Sequence, residues 1–457
     1  MQTSAKPLVR RRSFLQASAV GTFGTLLGQS ARGANSREVW QTGNETIDEP
    51  RRIGIDLLKP TKAQLERAWE LHSGSLVFES YGFSPRQAID GTWFQEAADE
   101  GAYDEELTDI REGSMMNRAA TDQREREEFL HAFRAAGVDC VFQNAGEEGN
   151  DPMRLLKRLA HFTYLTDRLK PTLSKAVTAR QVRETFQAGQ ISLCFTGNGV
   201  PLRQRWRDVR DELGLVRLFH ELGILMMHLT YNRRNPLGDG CGEPNDAGLS
   251  DFGHAGVAEM NEVGVIVDVA HSGWKTSLDA AKASTKPLVA SHTTCAGLYE
   301  HFRSKPDNVI KAICDTGGYV GICAISRFLG GKGDLVRFLD HVDYVVKKFG
   351  PDHCAIGTDV AYTSRHGKAE STKIKRRPGG RSGLALRRNL WEHLWPEDKY
   401  SNSAADRQSL AWTNWPLFTL GMVMRGYSDE TIQKILGGNV LRVLEANVSA
   451  RRTTAPR

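Results

Sequence analysis

Four polar residues stand directly after short apolar runs, and their types point to metal or acid–base chemistry. His271 follows the run 265–270, His292 follows 288–291, Asp359 follows 355–358 and Thr196 follows 191–195. Two imidazoles and a carboxylate gathered at one mouth suit Zn²⁺, Mn²⁺ or Fe²⁺ and leave room for water and a substrate. A metal so held lowers the pKa of water toward neutrality and polarises an amide carbonyl. A single histidine at a strand end is more often structural, but two on consecutive strands with a later aspartate reverse that balance. Arg303, in the loop that follows His292, carries a planar fork suited to gripping a carboxylate, although its local context alone reads as a surface arginine beside a helix. Among the other histidines, His228 lies inside an apolar run and faces the core of the fold. His72, His131, His161, His301 and His341 read as surface groups.

These residues need elements that bring them to one end of the molecule. Apolar runs at 75–78, 139–143, 191–195, 224–229, 263–269, 288–291, 318–325 and 354–357 read as strands. Between them, helical patterns fall at 122–136, 152–168, 178–188, 206–221, 255–262, 275–283, 306–315 and 335–349. Eight β-runs alternating with helices predict an α/β protein, a closed (β/α)8 barrel, whose strand C-termini carry the chemistry. An open doubly wound sheet is the alternative, but no Gly-x-Gly-x-x-Gly follows a strand. Residues 35–74 read as a polar leader and a lead-in helix, and 75–448 as the barrel. Residues 361–408 break the rhythm with a basic, turn-rich stretch at Arg376–Arg381, read as a loop insertion over the barrel mouth. The tail 449–457 is read as frayed.

The chain has 457 residues, a quarter of them charged, and a net charge of +5. Residues 1–34 contain Lys6, Arg10, Arg11, Arg12 and Arg32 and no acid, so without them the charge falls from +5 to 0. The remaining body has no basic excess that would call for nucleic acid. Arg11-Arg12-Ser13-Phe14-Leu15-Gln16, a weakly apolar run at 17–27 and small residues near 31–34 predict a twin-arginine export signal and a periplasmic or extracytoplasmic location. No run approaches the roughly 18 apolar residues of a membrane span. The seven cysteines form no Cys-x-x-Cys pair and sit in apolar or small-residue runs, as buried thiols do.

The same residues carry a family resemblance. The segments 248–253, 259–261, 267–272 (Val-Asp-Val-Ala-His-Ser) and 287–292 (Pro-Leu-Val-Ala-Ser-His) run in order, followed by 303–309, 352–359, 425–430 and 435–443. Together they resemble the membrane (renal-type) dipeptidase family of zinc peptidases, closely over 213–359 and 416–444 and weakly before 190. The resemblance implies a (β/α)8 barrel of the amidohydrolase type with two zinc ions that cleave dipeptides. It implies that His271 and His292 bind the second metal, that Asp359 orients the attacking water and takes its proton, and that Arg303 holds a C-terminal carboxylate. A substrate-facing histidine of the family corresponds to Tyr231.

The first-metal site departs from the pattern. The family's His-x-Asp pair falls on Tyr81 and Phe83, its bridging glutamate falls on Thr196, and no His-x-Asp occurs before residue 190. Three expectations follow. The first is a hydrolase of a dipeptide or similar small amide with one zinc rather than two, Mn or Fe being alternatives. The second is an inactive barrel that binds a small molecule or peptide. The third is a two-metal enzyme in which Glu79, Glu147 or Glu148 supplies a displaced carboxylate. A homodimer is compatible with each.

Overall fold

The computed structural model describes residues 40–146, 150–375, 396 and 399–448. The predicted export signal, the tail 449–457, Glu147, Glu148 and the Arg376–Arg381 stretch lie outside the described residues.

Eight parallel strands follow one another around a ring: β1 (Phe78–Gly82), β2 (Cys140–Asn144), β3 (Ile191–Gly197), β4 (Ile224–His228), β5 (Ile266–Asp268), β6 (Ala290–Cys295), β7 (Val320–Ile322) and β8 (Cys354–Ile356). Direct pairing joins β1 through β5 in order, and β6 through β8 in order. Two seams complete the circle. At the β5–β6 seam, Asp268 and Val289 form a parallel bridge and Val269 N–H donates to Val289 O at 2.8 Å. At the β8–β1 seam, Asp359 N–H donates to Tyr81 O at 3.4 Å. The fold is the expected (β/α)8 barrel, with short side strands Leu173–Lys175 beside β3 and Ser304–Lys305 beside β6.

Alternation with period two sets the two faces of the strands. Phe78, Cys140, Phe142, Cys194, Met226, Ile266, Val289 and Ala355 fill the barrel interior. Their sequence neighbours Val141, Leu193, Phe195, Met227, Val267, Ala290 and Ile356 join the larger core beneath the surrounding helices. Gly321 and Gly357 are required by close approach, since a Cβ on either would lie within 2.1 Å of Ser291 O. Helix ends follow capping rules: Asp122 accepts from Arg124 N at 2.9 Å, Ser250 accepts from Gly253 N at 2.9 Å, and Gly137 and Gly264 close those two helices with positive φ.

The predicted helices appear with small shifts of boundary, and the leader contains two helices, Glu45–Leu58 and Lys62–Gly74. The C-terminal helix Asn439–Asn447 closes the barrel floor with Val440, Val443 and Leu444. The first strand starts later than the 75–78 run, and its register slips: Glu79 faces Val141, but Gly82 faces Gln143. Three of the expected surface histidines are buried. His72 bridges Thr419 Oγ1 at 2.7 Å and Ala136 O at 2.9 Å, joining two helices. His341 accepts from Cys295 N at 3.1 Å through Nδ1 and donates to Leu329 O at 3.0 Å through Nε2. His301 is buried against Phe302 and Phe328. The polar sequence context of these histidines hid the long-range partners that satisfy them. Six of the seven cysteines are buried free thiols, and Cys241 is half-buried. The described part of the insertion is partly helical and anchored by Glu370, which accepts from Gly91 N at 3.1 Å and pairs with Arg118 and Arg124. Among the described residues no helix is long and apolar enough to cross a membrane.

Candidate metal centre

His271 and His292 meet at the C-terminal end of the barrel with their Nε2 atoms 2.9 Å apart. His271 stands three residues beyond β5, and His292 lies within β6 rather than after it. The other nitrogen of each ring is already engaged. His271 Nδ1 donates to Asn232 Oδ1 at 2.7 Å, and that oxygen also accepts from Cys241 Sγ at 3.1 Å, so His271 Nε2 presents a lone pair. His292 Nδ1 lies 2.9 Å from Ser291 Oγ. Burial pushes both imidazoles well below their ordinary pKa, and the positive charges of Arg303 and Lys305 push in the same direction. Two neutral nitrogens this close would hold a single metal ion, should one be bound, through their lone pairs.

Aromatic rings wall the pair. Tyr81 stacks on His292 at 4.0 Å between centroids, and Tyr231 stacks on His271 at 4.2 Å. Beneath them lies His228, whose ring is 5.0 Å from His271 and 5.3 Å from His292, with its Nε2 2.7 Å from Asp268 Oδ2. The core-facing orientation expected of His228 is observed. Its pairing with Asp268 was not visible in the sequence, where the two lie 40 residues apart, although they are direct partners across β4 and β5.

The residues at the first-metal positions do not fit a metal. Tyr81 OH donates to Asn198 Oδ1 at 2.6 Å, which fixes its ring against His292. Phe83 has no donor atom, and the Arg86 guanidinium lies 4.5 Å over its ring. Thr196 is buried and offers only a hydroxyl, which donates to Gly197 O at 3.5 Å. The alternative that Glu79 supplies a displaced carboxylate is corrected by the structure. The register slip in β1 turns Ser80 and Tyr81 to the interior and leaves Glu79 outside the barrel, where Oε2 accepts from Trp412 Nε1 at 2.8 Å and Oε1 from Thr358 N at 3.2 Å. Burial there raises the Glu79 pKa to about 8.

Arg303 is buried beside the pair, with Nη2 3.4 Å from His292 O and its guanidinium 5.1 Å over the Phe328 ring. Its Nε has no hydrogen-bond partner. Asp359 is half-buried on the β8–β1 side of the mouth, in the left-handed region at φ 56°, and is tied through its amide to Tyr81. Thus His271, His292, Tyr81, Tyr231 and Arg303 share one cluster, and Asp359 adjoins it through Tyr81. Asn198, Asn232 and Arg86 were not singled out from the sequence; Asn198 and Asn232 sit next to or near motif residues, which was their only signal. A cavity of about 500 Å³ opens beside the cluster, lined by Cys241, Glu243, Asp246, Trp274, Glu300 and Phe302 among others.

Comparison with known proteins identifies the family and the fold. The dipeptidase verJ of Clonostachys rogersoniana is 27% identical over 285 residues, covering 62% of this chain and 62% of its own length, so the match spans less than two thirds of that relative. The probable dipeptidase PvdM from Pseudomonas aeruginosa has the same fold, with a TM-score of 0.59 at 18% identity over 85% of this chain and 99% of that one. So does a metallopeptidase from Rhodobacter sphaeroides liganded with a phosphinate mimic of the dipeptide L-Ala-D-Ala, with a TM-score of 0.53 at 18% identity over 82% and 99% of the two chains. The sequence model of the membrane dipeptidase family matches residues 109–373, more than half of the 457. The chain belongs to the membrane dipeptidase family, peptidase family M19.

Proposed function

We propose that this protein is an exported metallohydrolase that cleaves a dipeptide or a similar small amide with a single metal ion. The observation that carries the reading is the pair of neutral Nε2 atoms 2.9 Å apart, each imidazole oriented by a partner at its other nitrogen. Imidazole donors suit zinc, with Mn or Fe as alternatives. When bound, such an ion supplies Lewis acidity and makes water a nucleophile near neutral pH. The remaining work falls to this chain's own residues. Asp359 accepts the proton of the attacking water. Arg303, stacked on Phe328 with an unpaired Nε, holds the substrate carboxylate. Tyr231 packs against the substrate from the His271 side, and the cavity at Trp274 and Phe302 takes a side chain. Dipeptidase names among the relatives support the substrate class. The twin-arginine pattern of residues 1–34 supports export.

The test is hydrolysis of a dipeptide panel before and after chelation, with zinc returned. Activity that disappears with the metal and is absent in His271→Ala is expected; activity indifferent to chelator would contradict the proposal. A second reading, a barrel that binds a small molecule or peptide without turning it over, is favoured by the stacking of Tyr81 on His292 and its bond to Asn198. Saturable ligand binding with no turnover at any metal loading would establish that reading instead.

A further inference from the structure

We infer that His228 and Asp268 join His271 and His292 as donors to the metal ion, with His228, Asp268 and His292 holding it from three adjacent strands below and His271 from the mouth side. This rests on the metal-dependent reading above and adds ligands to it. The donor atoms of His228, Asp268 and His292 all lie within 4.8 Å of one another, and among the described residues this is the only group of three or more such side chains. All three are fully buried.

Their hydrogen bonding is incomplete at one place. Asp268 Oδ1 accepts from Ala270 N at 2.9 Å and from Ser291 N at 3.1 Å, which anchors half of the carboxylate. Its Oδ2 is paired with His228 Nε2 at 2.7 Å, whereas His228 Nδ1 has no hydrogen-bond partner. A buried polar atom left unmatched costs about 1–3 kcal/mol, so the unmatched His228 Nδ1 beside a buried carboxylate points to a missing partner. A divalent cation satisfies a carboxylate oxygen and an imidazole lone pair together, and the carboxylate offsets part of its charge. A closed tetrahedral set spaces its donor atoms about 3.4 Å apart, so binding would draw together donors now up to 4.8 Å apart and open the 2.7 Å His228–Asp268 pair. His271 makes a fourth donor, and expansion to a fifth position would admit water or substrate from the side of His271, 3% exposed against 0% for the trio. The chain thereby recovers a carboxylate donor that Tyr81, Phe83 and Thr196 do not supply.

Zinc binding to the wild-type protein, His228→Gln and Asp268→Asn tests this by titration against a zinc-buffered chelator. Zinc anomalous scattering from wild-type crystals gives a reading that needs no variant. One zinc in the wild type, affinity reduced more than about 100-fold in each variant, beyond the 10–100-fold typical of a supporting residue, and an anomalous peak within about 2.2 Å of a His228 nitrogen and Asp268 Oδ2 are expected. A zinc held by the wild type with its peak more than 3 Å from both side chains overturns the inference and leaves the metal-dependent reading standing. Should a variant not fold, the anomalous peak alone decides. No zinc in the wild type at any concentration removes both.

Discussion

At the scale of single residues, the site depends on groups that orient others. Asn232 holds His271 Nδ1 at 2.7 Å from a left-handed backbone at φ 50°, a conformation asparagine tolerates better than most residues. Asn232→Ala is expected to weaken metal binding 10–100-fold, measured by zinc competition, with the fold intact by circular dichroism. Arg303→Lys loses the planar fork while keeping the charge. It should raise KM about 10–100-fold for a dipeptide with a free C-terminal carboxylate and leave the C-terminal amide of the same dipeptide unaffected. Glu79 makes a pH prediction. Its folded pKa of about 8 lies above the ordinary 4.5, because burial outweighs the bonds from Thr358 and Trp412. The folded state therefore keeps a proton that the unfolded chain releases. The stabilising contribution is complete below about pH 4.5 and is lost as pH rises through about 8. Glu79→Gln should flatten that decline by a few kcal/mol, on the order of the linked shift, in urea unfolding compared at pH 5 and pH 9. His271, His292, Arg303 and Tyr231 were legible because each lies in an ordered local motif. Asn198 and the Glu79–Trp412 contact were not, because their partners lie more than 100 residues away.

At the scale of elements, periodicity located the barrel strands and the helices between them, since alternating burial and amphipathic faces are local properties. It failed on the first strand. One slipped register between Glu79 and Gly82 decides which side chains enter the barrel, and no sequence period encodes it. The same seam depends on glycine. At Gly321 a Cβ would lie 1.9 Å from Ser291 O and 2.5 Å from Ser80 Oγ. Gly321→Ala is expected to destabilise the fold by about 3 kcal/mol, because one obstructing atom is backbone. Its Ser291 neighbour also supports His292, so zinc affinity should fall in the same variant. Calorimetry and metal titration check the two effects separately, and an unchanged Tm would contradict the packing described here.

At the scale of the whole molecule, the barrel places the histidine cluster, Arg303 and Asp359 around one mouth while the C-terminal helix closes the opposite end. The half of the ring formed by β4 to β8 carries His228, Asp268, His271, His292, Arg303 and Asp359. The half that begins at β1 carries Tyr81, Phe83, Arg86 and Thr196, and there aromatic and cationic groups stand where donors are needed. This asymmetry is the molecular basis for expecting one ion rather than two. The most direct measurement is the metal content of the protein, purified without chelator and analysed for Zn, Mn and Fe. The account predicts one equivalent per chain, removed by chelation together with dipeptide hydrolysis. Two equivalents, or none after incubation with excess zinc, would contradict it.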